Sequence, residues 1–142
     1  VLKVTELPRH AGLWLLDTTP DPHWMQFGIT NPNDSEGLTA LAACGAHIVF
    51  LVTGRGSVVG SAIAPCVKIT GNHETFLHMS EDMEFDASPL LEGKKNLDEL
   101  SWELADYVSE IAAGQMTKSE ALGHREFFVP YKYQEKTVLP CK

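Results

Sequence analysis

The run His47-Ile48-Val49-Phe50-Leu51-Val52 is apolar on both faces apart from its first residue, and it breaks abruptly into Thr53-Gly54-Arg55-Gly56-Ser57. A strand rich in β-branched and aromatic residues with no polar face must be covered above and below, as a central strand of a parallel sheet is. The remaining elements must therefore supply both covers. Cys66-Val67-Lys68-Ile69-Thr70 alternates like a shorter strand, and Asn72 is placed to cap a helix running to about Met79. Leu97 to Ala113 forms the longest element, with Asn96 and Glu99 as a capping pair. Its Leu97, Leu100, Leu104, Val108 and Ile111 fall in one stripe, and Gly114 stops it.

The other segments fit the same scheme. Gly12-Leu13-Trp14-Leu15-Leu16 reads as a buried strand ending at Asp17, followed by a loop of turn residues through Asn33. From Ser35, Leu38, Leu41, Ala42 and Gly45 recur at helical spacing. Met83 to Ala87 reads as a short strand or extended loop. Thr117-Lys118-Ser119-Glu120 is a second capping box, opening about one turn of helix that ends at Gly123. Phe127-Phe128-Val129 suits a last strand, and a polar tail follows from Tyr131. Strand and helix alternate, which predicts an α/β, three-layer Rossmann-like domain over residues 1–130, its small, mostly parallel sheet flanked by helices. Residues 131–142 are the tail.

A chain of 142 residues is close to the commonest size of one domain, so two independent domains are not expected. Hydrophobic residues at 44% and charged residues at 21% exclude disorder, collagen and coiled coil. Eleven bases against nineteen acids give a net charge of -8, which argues against a nucleic-acid partner. Ten acids and two bases fall between residues 76 and 113, so the excess lies mainly on the outer face of the long helix. Trp102 stands among those acids, a mark of contact with another domain or a second copy in a homo-oligomer. No apolar run reaches the roughly 18 residues of a membrane span, so no membrane partner is expected. Cys44, Cys66 and Cys141 show no CxxC spacing, so a reducing, cytoplasmic setting is expected. The first residue is Val1 and no signal peptide is apparent, so the segment reads as cut from something longer.

Ligands of parallel sheets sit beyond the carboxyl ends of the strands, which singles out the loops after Leu16 and Val52. In Thr53-Gly54-Arg55-Gly56-Ser57 the glycines let backbone N–H groups approach an anion, and Arg55 adds a planar fork for a carboxylate. The stretch lacks the Gly-Lys-Ser/Thr of a Walker loop and the full dinucleotide fingerprint, and a plain tight turn is the competing reading. Asp17 is suited to a divalent cation or to base chemistry, and a turn-capping carboxylate is the competing, simpler reading. Lys68 is either a buried ammonium tuned toward proton transfer or an edge-strand lysine facing water. The six histidines show no metal-ligand spacing and read as surface or satisfied core residues. The exception is His124, where His124-Arg125-Glu126 sets three polar groups between a helix stop and an apolar segment.

Five separated motifs then act together. Thr53 to Ser57, Ala64-Pro65, Lys68 to Asn72, Asp86-Ala87 and Thr117 to Phe127 resemble the C-terminal domain of the altronate and galactarate dehydratase family, as does the Gly12 to Asp17 segment. The likeness runs from about Leu7 to Phe128, nearly the whole chain. It departs from the commoner pattern at the long, apolar His23 to Asn33 loop and at His47. The resemblance implies a lyase that removes water from sugar acids to give 2-keto-3-deoxy acids, with a divalent metal, usually iron (Fe2+). It also implies a related branch that eliminates sulfite from sulfolactate, and upstream domains of the same enzyme as partners. The metal ligands are not assigned.

The implied reaction is a β-elimination: a base removes the proton next to the carboxylate, a cationic group stabilises the enediolate, and an acid assists the leaving group. Arg55 with Ser57, in the Thr53, Gly54 and Gly56 loop, is expected to grip the small anionic acid. Asp17 is expected to contact metal or hydroxyl, and Lys68 and His124 to transfer protons. The competing class is a non-catalytic module that binds a small acid or shapes an oligomer interface while chemistry resides upstream.

Overall fold

The computed structural model describes residues 1–4, 6–12, 14–17 and 33–128. These divide into two compact units, one drawn from residues 1–46 with residues 127 and 128, the other comprising residues 47–126. In the first unit, β1 (Leu2–Lys3) and β2 (Leu16–Asp17) pair in parallel, with Leu2 opposite Leu16 and Lys3 opposite Asp17. The expected strand from Gly12 shrinks to its last residue and Asp17. The indole of Trp14 donates to the His10 carbonyl at 3.0 Å and its ring tilts against the His10 ring, which curls the chain ahead of Leu16. Gly12 adopts φ +137°, and Leu15 is exposed. Leu13 lies outside the described residues, as does the loop 18–32 with His23.

Helix α1 (Asp34–Ala43) starts one residue before the expected position. Asn33 accepts from the Glu36 N–H at 2.8 Å while the Glu36 carboxylate returns to the Asn33 N–H, a reciprocal cap. Its Leu38 and Ala40 are buried. Thr39 Oγ1 accepts from the Phe128 N–H at 3.1 Å, so Phe128 is held by a side chain and not by a strand ladder. The expected strand at 127–129 is absent at Phe127 and Phe128; Val129 and the tail 131–142 lie outside the described residues.

The second unit holds β3 (Val49–Val52), β4 (Cys66–Thr70) and β5 (Phe85–Asp86) in one parallel sheet of order β3-β4-β5. Here the sequence expectation is reversed. Among the described residues the apolar run at 47–52 forms an edge of this sheet, with Phe50 43% and Val52 72% exposed, while β4 is central and buried at every residue. Apolar patterning reports what covers a strand above and below, not how many strands flank it.

Alternation gives β4 two different faces. Val67 and Ile69 pack on Ile111 of α4 (Leu97–Ala112), with Leu104, Tyr107, Ile48, Phe85 and Ala87 around them. The opposite face carries Cys66, Lys68 and Thr70. The long helix follows expectation closely: Asn96 and Glu99 make the reciprocal cap at 2.9 Å each way, Leu100 and Ile111 are buried, and Trp102 is 72% exposed. Asn72 caps α2 (His73–His78), and Thr117 caps α5 (Lys118–Leu122), which ends at Gly123 with φ +78°. A short helix not expected from the sequence, α3 (Ser88–Leu91), follows β5 and has Pro89 in its first turn. Small parallel sheets flanked by helices make the chain mixed α/β, in keeping with the Rossmann-like arrangement expected. Among the described residues no helix is long and apolar enough to cross a membrane.

Candidate functional site

Three loops leave the carboxyl ends of β3, β4 and β5, and hydrogen bonds knit them into one rim. The Thr53 N–H continues the ladder to the Ile69 carbonyl at 2.9 Å, and Thr53 Oγ1 accepts from the Arg55 N–H at 3.3 Å. The Gly54 carbonyl accepts from Thr75 Oγ1 at 2.9 Å and from Asn72 Nδ2 at 3.5 Å. Asn72 Oδ1 meanwhile caps α2 by accepting from the Glu74 and Thr75 N–H groups. One asparagine therefore both starts the helix after β4 and ties down the loop after β3. Gly56 holds φ +81°, and a Cβ there would press into the Met79 side chain and lie 3.1 Å from Thr75 Cγ2. Ser57 Oγ accepts from the Val59 N–H at 3.4 Å. The Thr53–Ser57 loop is thus pinned on α2 with Arg55 exposed.

The same rim carries a pair that sequence reasoning passed over. His73, the first residue of α2, places Nδ1 2.8 Å from Asp86 Oδ2 at the end of β5. Asp86 Oδ1 accepts from the Ser88 N–H at 2.9 Å. Burial by itself pushes the Asp86 carboxyl up, but hydrogen bonds from Ser88 and His73 outweigh it and hold the group below the usual carboxylate range. The sequence did hold one signal: Asp86 ends a strand of a parallel sheet and His73 opens the helix after another, where ligands bind.

Below the rim, charge is buried. Lys68 is 0% exposed and its Nζ has no hydrogen-bond partner among the described residues, so its placement is the buried one and the water-facing edge lysine is overturned: β4 is central, and its face bearing Lys68 is covered. Glu84 lies beside it: Oε2 accepts from the Lys68 N–H at 2.6 Å and Oε1 from the Lys118 N–H at 3.0 Å. Burial drives the Glu84 carboxyl up, and this outweighs its two backbone donors and the Lys68 charge. The far end of the glycine-rich stretch meets the His124 segment. The Gly60 N–H donates to Glu126 Oε2 at 2.8 Å, and a Cβ on Gly60 would lie 2.6 Å from the His124 carbonyl oxygen. His124 Nδ1 stands 3.8 Å from Glu126 Oε1. Glu126, against the pull of burial, is held low by the Gly60 N–H, with His124 and Lys68 adding to it.

The structure thus gathers Thr53 to Ser57, Lys68 and His124 within one unit, and links Lys68 and His124 through the field at Glu126. Asp17 is exposed and belongs to the other unit, at the end of β2. The first unit has its own open cleft, lined by Leu2, Glu6, Leu7, Arg9 and Trp14, which contains none of the expected site residues. Among the described residues no three His, Cys, Asp or Glu side chains converge as a metal ion needs, so these residues do not by themselves fit the implied iron. The chemistry present is a guanidinium on a backbone-rich loop, an imidazole oriented by a carboxylate, and a buried ammonium.

Comparison with known proteins resolves the family. The model for D-galactarate/altronate dehydratase, C-terminal, matches residues 1–135. The chain belongs to this family. It is 34% identical over 134 residues to the (2R)-sulfolactate sulfo-lyase subunit beta of Chromohalobacter salexigens, covering 94% of this chain and 31% of that protein. It is 36% identical over 97 residues to the altronate dehydratase of Escherichia coli, covering 68% and 19%, and 30% identical over 129 residues to that of Bacillus subtilis, covering 91% and 23%. The chain therefore spans about a fifth to a third of the length of these relatives. By their names they are lyases, so family membership supports lyase activity in full-length relatives.

Proposed function

We propose that the full-length protein carrying this chain is a hydro-lyase that dehydrates an aldonate or aldarate, altronate-like or galactarate-like, to a 2-keto-3-deoxy acid. The observation that carries this reading is the Arg55 loop pinned at the carboxyl ends of a parallel sheet, in a chain of this family. Arg55 and the loop N–H groups, with Ser57, take the substrate carboxylate, where a charge-assisted fork is worth more than a neutral contact. His124 serves the proton returned to the leaving group, and Lys68 supports it through the charge it sets near Glu126. A divalent metal, ferrous iron, is kept as a cofactor of the full-length protein and is assigned no ligand in this chain. The partners are the small anionic acid and the rest of the same protein, as a homo-oligomer in the cytoplasm.

A second reading, elimination of sulfite from sulfolactate, is favoured by the sulfo-lyase relative, which matches 94% of this chain. The test is an activity screen of the full-length protein on altronate, galactarate and sulfolactate, with and without ferrous iron. The acid consumed, and whether sulfite is released, separates the two readings. In the same protein, Arg55→Ala is expected to lower kcat/KM on the best acid by about 10–100-fold, the value of a lost charged hydrogen bond. Retention of wild-type kcat/KM would remove the carboxylate clamp and favour a non-catalytic module.

A further inference from the structure

The pair His73 and Asp86 remains unused by the roles above, and its placement suits a specific one. Asp86 ends β5 and His73 opens the helix that follows β4, so both stand at the carboxyl ends of the strands, as the Arg55 loop does. Asn72 and Thr75, flanking His73 on either side in sequence, are the residues that hold the Gly54 carbonyl next to Arg55. The imidazole is 48% exposed while its carboxylate partner is 18% exposed, so the ring faces outward from a sheltered anchor. An ionised Asp86 can only accept, so Nδ1 must donate to Oδ2; this leaves Nε2 as the free ring nitrogen, with its lone pair available in the neutral form.

We propose that His73 is the catalytic base of the elimination and that Asp86 is its positioning residue, an assignment that rests on the proposed function above. Nε2 takes the proton from the carbon bearing the substrate carboxylate. The electron pair of that C2–H bond forms the C2=C3 double bond as the C3–O bond breaks. The leaving hydroxide departs as water with a proton from an acid such as His124, and the resulting enol picks up a proton at C3 and gives one up from its C2 hydroxyl to become the 2-keto acid. Asp86 fixes the ring tautomer and offsets the imidazolium that forms, the task a buried carboxylate performs for a general-base histidine elsewhere. With sulfolactate the first step is the same and the C3–S bond breaks instead.

The test uses the full-length protein and the acid it turns over best. His73→Ala is expected to lower kcat by about 10²–10⁴-fold, the usual worth of a positioned general base, with KM nearly unchanged. Added imidazole should restore part of that loss, and exchange of the C2 hydrogen with deuterated water should slow in parallel. Asp86→Asn should lower kcat by at least about tenfold through loss of tautomer control, with KM unchanged and no rescue by imidazole. His73 is an exposed first-turn residue, so folding is not at stake; equal melting temperatures establish this, and His73→Gln serves as a second variant. If the parent eliminates an acid while both His73 variants keep wild-type kcat, the base assignment is overturned and the proposed function stands. If the parent eliminates none of the three acids, both are overturned.

Discussion

At the rim of the second unit, Arg55 and His73 are exposed, and the groups that hold them are hydrogen bonds between neighbouring loops. Two residues down the central strand, Lys68 is sealed from water with no hydrogen-bond partner for its Nζ among the described residues, and the buried Glu84 beside it is spent on backbone N–H groups. Both regions are charged, yet the charge has different work. Glu84 joins β4 to α5, and Glu126 joins the glycine-rich stretch to the segment after α5; their oxygens replace backbone acceptors where the ladders end. Loss of the buried Glu84 charge is therefore expected to act on stability. Loss of a rim charge is expected to act on turnover.

The sharpest way to break that contrast is Glu84→Ala. It strands two N–H groups and removes the nearest compensation for Lys68, so a loss of about 3–5 kcal/mol is expected, read by chemical denaturation. A loss no larger than that of a surface substitution would dissolve the distinction. Gly60→Ala comes next: the new Cβ would meet the His124 backbone and not a flexible side chain, and about 1–3 kcal/mol is expected from the same measurement. At the rim, Asp86→Asn should leave stability at neutral pH within roughly 1 kcal/mol, as partly exposed pairs do, while turnover falls.

Glu84 and Asp86 should also respond to pH with opposite sign. Glu84 has its folded value raised above 4.5, so between 4.5 and that value the folded protein holds a proton that the unfolded chain has lost. Stability contributed by this site therefore falls as pH rises through the window, and Glu84→Gln should abolish that fall. Asp86 and Glu126 have lowered values. Their contribution is present above the ordinary carboxylate value and is lost as pH drops through the folded one, so Asp86→Asn should remove part of the acid-side loss. Melting temperature against pH for the three proteins separates the signs.

What was legible beforehand was local. Asn96 with Glu99 and Thr117 with Glu120 announce their helices because a cap needs only three residues of sequence, and the stripe of the long helix follows from its period. The Arg55 loop was legible for the same reason. The missing information was long-range. His73 and Asp86 meet because β4 and β5 pair with Thr70 opposite Asp86, and Gly60 meets Glu126 across 66 residues. Lys68 reads as one residue of an alternating strand, and only the cover over its face of the sheet, which comes from residues distant in sequence, turns it into a buried ammonium.

The central claim, a small-acid site at the carboxyl ends of the second unit's sheet, is tested most directly by a crystal structure of the full-length protein with the acid it turns over best. The acid's carboxylate is expected about 2.7–2.9 Å from the Arg55 guanidinium, and its C2 about 3–3.5 Å from His73 Nε2. An acid bound elsewhere, with the Arg55 loop and His73 facing only solvent, would contradict it.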